Sequence, residues 1–304
     1  MRSRSGWGQA GALPAVSSAG RLRRCSFPVR QRPTSFGSDA GARLRAPTAF
    51  AGGIVKVCLL GGNGQLGPWV VSELERGGYS LRITDVTVPD GSPHETMQVD
   101  AGDLDQVRRA GEGCDVIVNC SVLRPHRQLA WNVNTVGAYN ALRVAVDMGH
   151  ERTINTGPHF TVTGEPYHTY DFGLVEEVPP HAGTSLYALS KSTGHEISRL
   201  FAEQFPIHVL CLLFLNFRTT DPDDPRYGGR RHGLIPFSVT FPDAARVIRC
   251  ALEADLTRLP TRHETFFVTA DLPHGKYSSD KARRMLDWRA QDSMERFYRR
   301  SLQD

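Results

Sequence analysis

From residue 54 onward, short apolar runs alternate with longer segments of helical periodicity, and this alternation limits the possible folds more than any other feature. The predicted strands lie at 54–60, 80–86, 95–101, 115–121, 151–157, 208–215 and 265–270. Strands that alternate with helices form parallel β-α-β units with right-handed crossovers. We therefore predict an α/β fold of the Rossmann type, a doubly wound parallel sheet with helices on both faces.

Charge is distributed unevenly along the chain. Residues 1–53 contain nine arginines, no lysine and a single acid, Asp39. Of the 36 basic and 32 acidic residues, 27 and 31 remain for 54–304, a formal charge of −4. The leader 1–53 is also rich in Ser, Gly, Ala and Pro, so we predict that it is disordered. Its composition is that of a transit peptide for a mitochondrial or plastid matrix, whereas a basic tail without that function would leave the protein cytoplasmic.

The remaining composition argues against several classes of protein. Residues 54–304 have no dense basic patch, so we expect no nucleic-acid partner. The sequence has no run of about 18 apolar residues, and we expect no membrane span. Its six cysteines include no CxxC pair and its eleven histidines no HxxxH pair, so we predict reduced core thiols and no metal site.

The segment GGNGQLG follows the first predicted strand directly and precedes a helical segment. Its glycines permit a tight turn, a close approach of the backbone to a pyrophosphate, and close contact between helix and strand. The N-terminus of the following helix favours bound phosphate. We therefore assign a cofactor-binding loop to Gly61, Gly64, Gln65, Leu66 and Gly67.

Asp85 ends the second predicted strand, where dinucleotide-binding folds place an acid for the adenosine ribose. A carboxylate there accepts hydrogen bonds from both ribose hydroxyls and repels a 2′-phosphate. We therefore predict NAD as the cofactor, with NADP less favoured. The alternative is that Asp85 only starts a turn at the end of the strand.

Polar residues also follow the third and fourth predicted strands. Asp103 and Leu104 are positioned to flank the adenine, and Asn119, Cys120 and Ser121 lie at the mouth of the fourth strand. We include all five among the candidate cofactor contacts. Each has an alternative interpretation as a helix cap or a strand end.

Tyr187 and Lys191 in SLYALSKSTG are separated by one helical turn, so both side chains lie on one face of a helix. A nearby ammonium stabilises a phenolate and lowers the pKa of the tyrosine, which makes it a usable general acid or base. We predict that Tyr187 and Lys191 are catalytic and also contact the cofactor.

From Ile54 to near its end, the chain resembles the extended short-chain dehydrogenase/reductases, also called the NAD-dependent epimerase/dehydratase family. The resemblance rests on GGNGQLG, Asp85, GDL at 102–104, NTVGAYN at 134–140, YALSK, the region around Asn216, and KYSSDKARRMLDW. It implies that Tyr187 is the acid/base, and that Lys191 binds the nicotinamide ribose. It also implies a homodimer formed through helices near 131–148 and 187–204.

The family's hydroxyl residue, usually in a Ser-Ser or Ser-Thr pair, has no clear counterpart. Thr156 is the nearest hydroxyl in NTGPHFT, with Thr161 and Thr163 as alternatives, and His159 is a possible replacement. We assign Thr156 to catalysis. The Arg of the family's sixth-strand pattern is also missing here, although Asn216 is kept.

The small C-terminal substrate-binding region is expected mainly from 216–304, within one Rossmann domain over 54–304. We assign His159, Asn216 and Arg218 to a carbohydrate-like substrate. The resemblance implies an NAD-dependent oxidoreductase that moves hydride between a hydroxyl carbon of a sugar or sugar acid and nicotinamide. The alternatives are a nucleotide-sugar epimerase that retains NAD and an NAD-binding sensor without catalysis.

Overall fold

The computed structural model describes residues 53–124, 126–164, 171–219, 238–272 and 275–293. The leader 1–53, apart from Gly53, lies outside the described residues. Its predicted disorder and targeting role therefore remain predictions.

Nine β-strands occur in the described part of the chain. They are β1 (Lys56–Leu60), β2 (Ser80–Asp85), β3 (Glu95–Gln98), β4 (Val116–Asn119), β5 (Arg152–Pro158), β6 (His208–Phe214), β7 (Asn216–Arg218), β8 (Ser238–Thr240) and β9 (His263–Val268). The helices are α1 (Gly67–Arg76), α2 (Leu104–Gly111), α3 (Arg127–Trp131), α4 (Gly137–Asp147), α5 (Leu186–Gln204), α6 (Phe241–Glu253) and α7 (Asp280–Leu286). A π-helical turn, Asn132–Val136, joins α3 to α4.

Seven strands form one sheet in the order β3-β2-β1-β4-β5-β6-β9. Every neighbouring pair in this sheet is parallel. These are the seven strands that the sequence predicts, so the Rossmann-type fold is confirmed. The chain reverses its direction of winding between β1 and β4, and ligands of such sheets bind beyond the carboxyl ends of the strands at that point.

Side chains of the central strands alternate between two cores. Val57 and Leu59 of β1 belong to a cluster that includes residues of α1 and α6. Cys58 and Leu60 belong to a cluster on the opposite face, with residues of α2, α4 and α5. Both faces of the sheet are therefore covered, which explains why the strands are continuously apolar in sequence.

Part of the range 216–304 belongs to the layers of the Rossmann domain. β9 completes the main sheet, and α6 packs against α1. The two three-residue strands β7 and β8 form a separate parallel pair near the carboxyl end of β6. No helix in the described ranges has the length and apolarity needed to cross a membrane.

Candidate active site

The glycine loop packs tightly against the carboxyl ends of two strands. Gly61 has a φ of +75°, and a Cβ added there would lie 2.6 Å from the backbone nitrogen of Ser121 beyond β4. A Cβ at Gly67 would lie 1.9 Å from the carbonyl oxygen of Gly62, which shows how closely α1 approaches the loop. Side chains at Gly61 and Gly67 would therefore displace the loop from its position.

Gly64 differs from both, because its Cβ position meets only the carbonyl oxygen of Gly61, at 3.3 Å. Gly64, Gln65 and Leu66 line the main cavity, together with Gly61. Gly67 begins α1, whose positive dipole end faces the loop, although the Gly67 N–H itself donates to the carbonyl oxygen of Gly64 at 3.1 Å. The loop therefore offers an open backbone face and a helix N-terminus, which suit a pyrophosphate.

Asp85 lies beside this loop at the end of β2. Its carboxylate accepts hydrogen bonds from the backbone N–H of Asn63 at 3.1 Å and of Val86 at 2.8 Å. These bonds fix the carboxylate against the glycine loop, although Asp85 itself does not line the cavity. The glycine loop and the start of α1 fit the pyrophosphate of a nicotinamide dinucleotide, and the contact of Asp85 with a ribose remains a prediction.

Asp103 and Leu104 do not line the cavity. Asp103 caps α2, and its carboxylate accepts from the backbone N–H of Gln106 at 3.0 Å and from its side-chain amide at 2.9 Å. These hydrogen bonds lower the pKa of Asp103. Leu104 packs against the core on that face of the sheet. Both residues have local structural roles, and their contact with adenine remains a prediction.

Asn119 and Ser121 organise the carboxyl end of β4. The side-chain oxygen of Asn119 accepts from the Ser121 hydroxyl at 2.6 Å, and its amide donates to Asn155 at 3.0 Å. Cys120 lines the cavity, and burial raises the pKa of its thiol to about 12. The structure therefore brings only Cys120 of these three side chains to the cavity, while Ser121 acts through its backbone.

Lys191 is buried and ties two strand ends together. Its ammonium donates to the carbonyl oxygen of Ser121 at 2.9 Å and to that of Thr156 at 3.1 Å. Burial lowers the pKa of Lys191 to about 8. The ammonium is therefore charged at neutral pH and lies in the crevice between β4 and β5.

Tyr187 lies in the first turn of α5. The Ser185 hydroxyl oxygen caps this helix by accepting a hydrogen bond from the backbone N–H of Ala188 at 3.2 Å. Its ring packs edge-on against Phe160, with 5.4 Å between the ring centroids. The guanidinium carbon of Arg124 lies 4.9 Å from the centroid of the Tyr187 ring. Burial raises the pKa of Tyr187, and Arg124 opposes this shift.

The end of β5 and the segment after it supply no simple replacement for the missing hydroxyl. The Thr156 hydroxyl donates to the carbonyl oxygen of Asn119 at 2.9 Å. Thr163 donates to the carbonyl oxygen of His159 at 3.1 Å. The Thr161 hydroxyl is buried and has no hydrogen-bond partner within the described ranges. Of these four side chains, the structure brings Thr156 and His159 to the cavity wall.

One cavity of about 530 Å³ joins these features. Asn216 and Arg218 line its far end from β7, next to β6. The predicted substrate residues His159, Asn216 and Arg218 therefore share a cavity with Tyr187 and Lys191. Arg230 and Arg231, two further arginines that could bind an anionic substrate, lie outside the described residues.

Sequence reasoning missed Arg124 and Phe160, both of which line the cavity and contact Tyr187. Arg124 follows β4 by five residues, and its neighbour Leu123 is held by Asn134. The Asn134 amide donates to the carbonyl oxygen of Leu123 at 2.7 Å and its oxygen accepts from the Leu123 N–H at 3.0 Å. The sequence signal that could have indicated Arg124 is its position as a basic residue shortly after β4, whose carboxyl end lies at the crevice.

Fold and site together define a class of protein. A parallel sheet with a glycine loop at its reversal point, and a buried lysine one turn from a tyrosine, is typical of a dinucleotide-binding Rossmann enzyme. The NAD-dependent epimerase/dehydratase family matches residues 57–228, more than half of the chain, and the chain belongs to this family. It is therefore an enzyme of the NAD-dependent oxidoreductase/epimerase type, and it binds a nicotinamide dinucleotide.

Solved structures with the same fold include dehydrogenases and an epimerase. A glucuronic acid dehydrogenase from Chromohalobacter salexigens is 22% identical, with a TM-score of 0.63 over 81% of this chain and 88% of that chain. A mutant uronate dehydrogenase from Agrobacterium tumefaciens, complexed with NAD, is 20% identical, with a TM-score of 0.65 over 83% of this chain and 93% of that chain. A UDP-glucose 4-epimerase from Thermotoga maritima is 15% identical, with a TM-score of 0.65 over 79% of this chain and 95% of that chain. No curated protein matches the chain in sequence.

Proposed function

We propose that the protein is an NAD-dependent dehydrogenase that oxidises a hydroxyl group of a sugar or sugar acid to a carbonyl. The observation that carries this proposal is the shared cavity, which is lined by Tyr187, Lys191 and the glycine loop. Two of the similar structures are dehydrogenases of uronic acids. The family and the arrangement of the cavity both support hydride transfer at a carbon that bears a hydroxyl.

Tyr187 is the proposed general base. Its phenolate takes the proton of the substrate hydroxyl as the carbon is oxidised, and bound NAD supplies the hydride acceptor. Burial alone works against the phenolate, because it raises the pKa of Tyr187. The guanidinium of Arg124 and the ammonium of Lys191 are the cations available to stabilise the developing charge. We therefore assign Arg124 a role beside Lys191 in setting the basicity of Tyr187.

The arginines also favour an anionic substrate. Arg124 and Arg218 both line the cavity, and a guanidinium binds a carboxylate with two parallel hydrogen bonds. His159 and Asn216 add polar groups to the same wall. A sugar acid, with ring hydroxyls and one carboxylate, matches this combination better than a neutral sugar does.

His159 is the proposed replacement for the family's orienting hydroxyl. Thr156 directs its hydroxyl to Asn119, away from an orienting role. His159 is buried at the cavity wall between the rings of Phe160 and Tyr277, with centroid distances of 4.9 and 5.3 Å. These rings fix the imidazole beside Phe160, which in turn contacts Tyr187.

NAD is the proposed cofactor in preference to NADP. The Asp85 carboxylate is held against the glycine loop by the N–H groups of Asn63 and Val86, and its charge would repel a 2′-phosphate. Gly61, Gly64, Gln65, Leu66 and the start of α1 would hold the pyrophosphate. Lys191 would hold the nicotinamide ribose.

A nucleotide-sugar epimerase that retains NAD is the second candidate, because a UDP-glucose 4-epimerase shares the fold over 79% of this chain. A sensor without catalysis is a third, favoured by the commitment of the Thr156 hydroxyl to Asn119. An epimerase would interconvert a nucleotide sugar without net formation of NADH. A sensor would bind NAD with no turnover.

We also propose a homodimer formed through the outer faces of α4 and α5. Exposed apolar side chains lie on these two helices, namely Tyr139, Leu189 and Leu200, and Val136 is exposed at the end of the π-helical turn before α4. Pairing of two copies would bury them in a four-helix arrangement. Sedimentation measures the oligomeric state of the wild-type chain and of a Tyr139→Lys/Leu200→Lys variant. A monomeric wild type would contradict the proposed homodimer.

The catalytic proposal is tested by incubating the full chain with NAD or NADP and a panel of hexuronic acids, matched aldoses and UDP-sugars. Absorbance of the reduced nicotinamide reports net oxidation. We expect NADH with at least one sugar acid, little product with its neutral aldose, and a strong preference for NAD. Conversion of a UDP-sugar without NADH would instead establish the epimerase, and binding of NAD without any turnover would establish the sensor.

A further inference from the structure

A second group of chemically active side chains lies away from the substrate cavity, with one member buried and two partly buried. His195 on α5, Cys211 on β6 and His263 on β9 each offer one donor atom, and these three atoms lie within 4.8 Å of one another. The sequence predicts no metal site, because these residues form no short motif. The fold nevertheless brings two imidazoles and a thiol together.

Backbone geometry explains the cluster. Cys211 is paired with Thr265 in the register of β6 and β9, and His263 precedes Thr265 by two residues on the same face of the strand. His195 follows Lys191 by one helical turn, so α5 presents it to the same face of the sheet. Helix, strand and neighbouring strand therefore each contribute one side chain.

The donor atoms already face one another. The Cys211 sulfur lies 3.5 Å from Nε2 of His263. Nε2 of His195 lies 3.2 Å from the Thr265 hydroxyl oxygen. The two imidazole rings are 4.9 Å apart between centroids. No carboxylate is part of the cluster, so its donor set is two nitrogens and one sulfur.

We propose that His195, Cys211 and His263 bind a thiophilic transition-metal ion of the zinc class. Zinc bound at about 2.0–2.3 Å by nitrogen and sulfur in a tetrahedron separates its ligand atoms by roughly 3.3–3.6 Å. The distance from Cys211 to His263 already meets this requirement. A pair at the full 4.8 Å separation must close by roughly 1.2–1.5 Å to reach these distances. A water or the Thr265 hydroxyl completes the fourth position.

The chemistry of the three side chains selects the ion. Imidazole and thiolate suit zinc, whereas magnesium and calcium require oxygen ligands. Each imidazole offers one ring nitrogen to the cluster, and a neutral imidazole binds a metal through such a nitrogen. A cysteine binds zinc as its thiolate, so the Cys211 proton is released to solvent as the metal–sulfur bond forms.

The position of the cluster gives the metal a structural consequence. His195 is four residues beyond Lys191 on the helix that also carries Tyr187. Bonds from one ion to α5, β6 and β9 would join this helix to two strands of the sheet. The bound ion would therefore stabilise the folded chain and hold the helix of the proposed catalytic pair in place.

The experiment uses the full chain, stripped of metal by a chelator and titrated with Co²⁺, whose thiolate complexes absorb in the near ultraviolet. We expect one equivalent of Co²⁺ to produce this absorption, and one equivalent of Zn²⁺ to abolish it. At a hundredfold excess of Zn²⁺ over its Kd, the Tm should rise by roughly 5–10 °C. Metal content and absorption spectra are both measured without an enzymatic assay, so this test does not depend on the proposed function.

Two variants and one control decide the assignment. Cys211→Ser should lose the charge-transfer absorption, and His263→Gln, which keeps the thiol, should weaken Co²⁺ binding at least tenfold. Cys250→Ser alters a half-buried thiol on α6 outside the cluster and should bind Co²⁺ as the wild type does. The proposal is overturned if the wild type binds no stoichiometric Co²⁺. Retention of the absorption in Cys211→Ser, or its loss in Cys250→Ser, overturns it equally.

Discussion

Replacing Arg124 with glutamine should raise the pKa of Tyr187 and make the enzyme a weaker base at neutral pH. Arg124 lies over the phenol ring, and its charge is the chief influence that opposes the effect of burial on Tyr187. Oxidation of a hydroxyl needs the deprotonated phenol, so the alkaline rise in rate should move to higher pH in the variant.

The size of the shift follows from the geometry. The guanidinium carbon lies 4.9 Å from the ring centroid. At this distance, Coulomb's law gives an interaction energy of about 0.8 kcal/mol at a dielectric constant of 80 and about 1.7 kcal/mol at 40. Arg124 is exposed, so these solvent-screened values apply rather than those of a dry interior. They correspond to roughly 0.6–1.2 pKa units.

The assay is the pH dependence of kcat, measured with saturating NAD and the best sugar acid from the substrate panel. Saturation matters because Arg124 is also a proposed carboxylate ligand, and its loss should raise KM separately. Arg124→Lys keeps a charge but loses the planar guanidinium, so its midpoint should lie between those of Arg124→Gln and the wild type. Coincident midpoints for the wild type and Arg124→Gln would refute the electrostatic role.

Four further substitutions test the loop, the cofactor preference and the core. Gly67→Ala should destabilise the fold by about 2 kcal/mol or more, since its Cβ would lie 1.9 Å from a carbonyl oxygen. Gly64→Ala should keep the melting temperature of the wild type yet bind NAD more weakly. Equal melting temperatures for the two variants would contradict this distinction between the glycines. Asp85→Asn should lower the preference for NAD over NADP about tenfold, or about 1.4 kcal/mol, in Kd measurements; an unchanged ratio would remove Asp85 from ribose recognition. Burial raises the pKa of Glu176 to about 7, so the stability associated with its protonated form is complete below its unfolded pKa and is lost as pH rises through about 7. Denaturant unfolding of Glu176→Gln should therefore match the wild type near pH 4 and exceed it by roughly 3 kcal/mol at pH 8. Equal stability at both pH values would contradict that shift.

The sequence predicts the main sheet well because buried parallel strands are apolar on both faces. All seven of its strands are recognisable as apolar runs, and the glycine spacing marks the loop at the reversal point. The pair β7 and β8 escapes prediction because strands of three residues have too little periodicity to detect. The π-helical turn Asn132–Val136 is likewise hidden within a continuous helical pattern.

Parts of the site depend on contacts that no local pattern encodes. Arg124 reaches Tyr187 because Asn134 holds the backbone of Leu123, and this requires α3, the π-helical turn and β4 to be packed together. The direction of the Thr156 hydroxyl depends on the register between β4 and β5. The residues of each local motif were therefore predictable from the sequence, whereas side-chain contacts between different strands and helices required the structure.

The strongest test of the proposed function is the Tyr187→Phe variant, measured for both NAD binding and NADH formation with the same sugar acid. Phenylalanine keeps the ring that packs against Phe160 and removes only the hydroxyl. General acid–base catalysis contributes roughly 10²–10⁴ in rate, so we expect kcat to fall by about that factor while the Kd for NAD stays within about twofold. A variant that forms NADH at the wild-type rate would contradict the assignment of Tyr187 as the catalytic base.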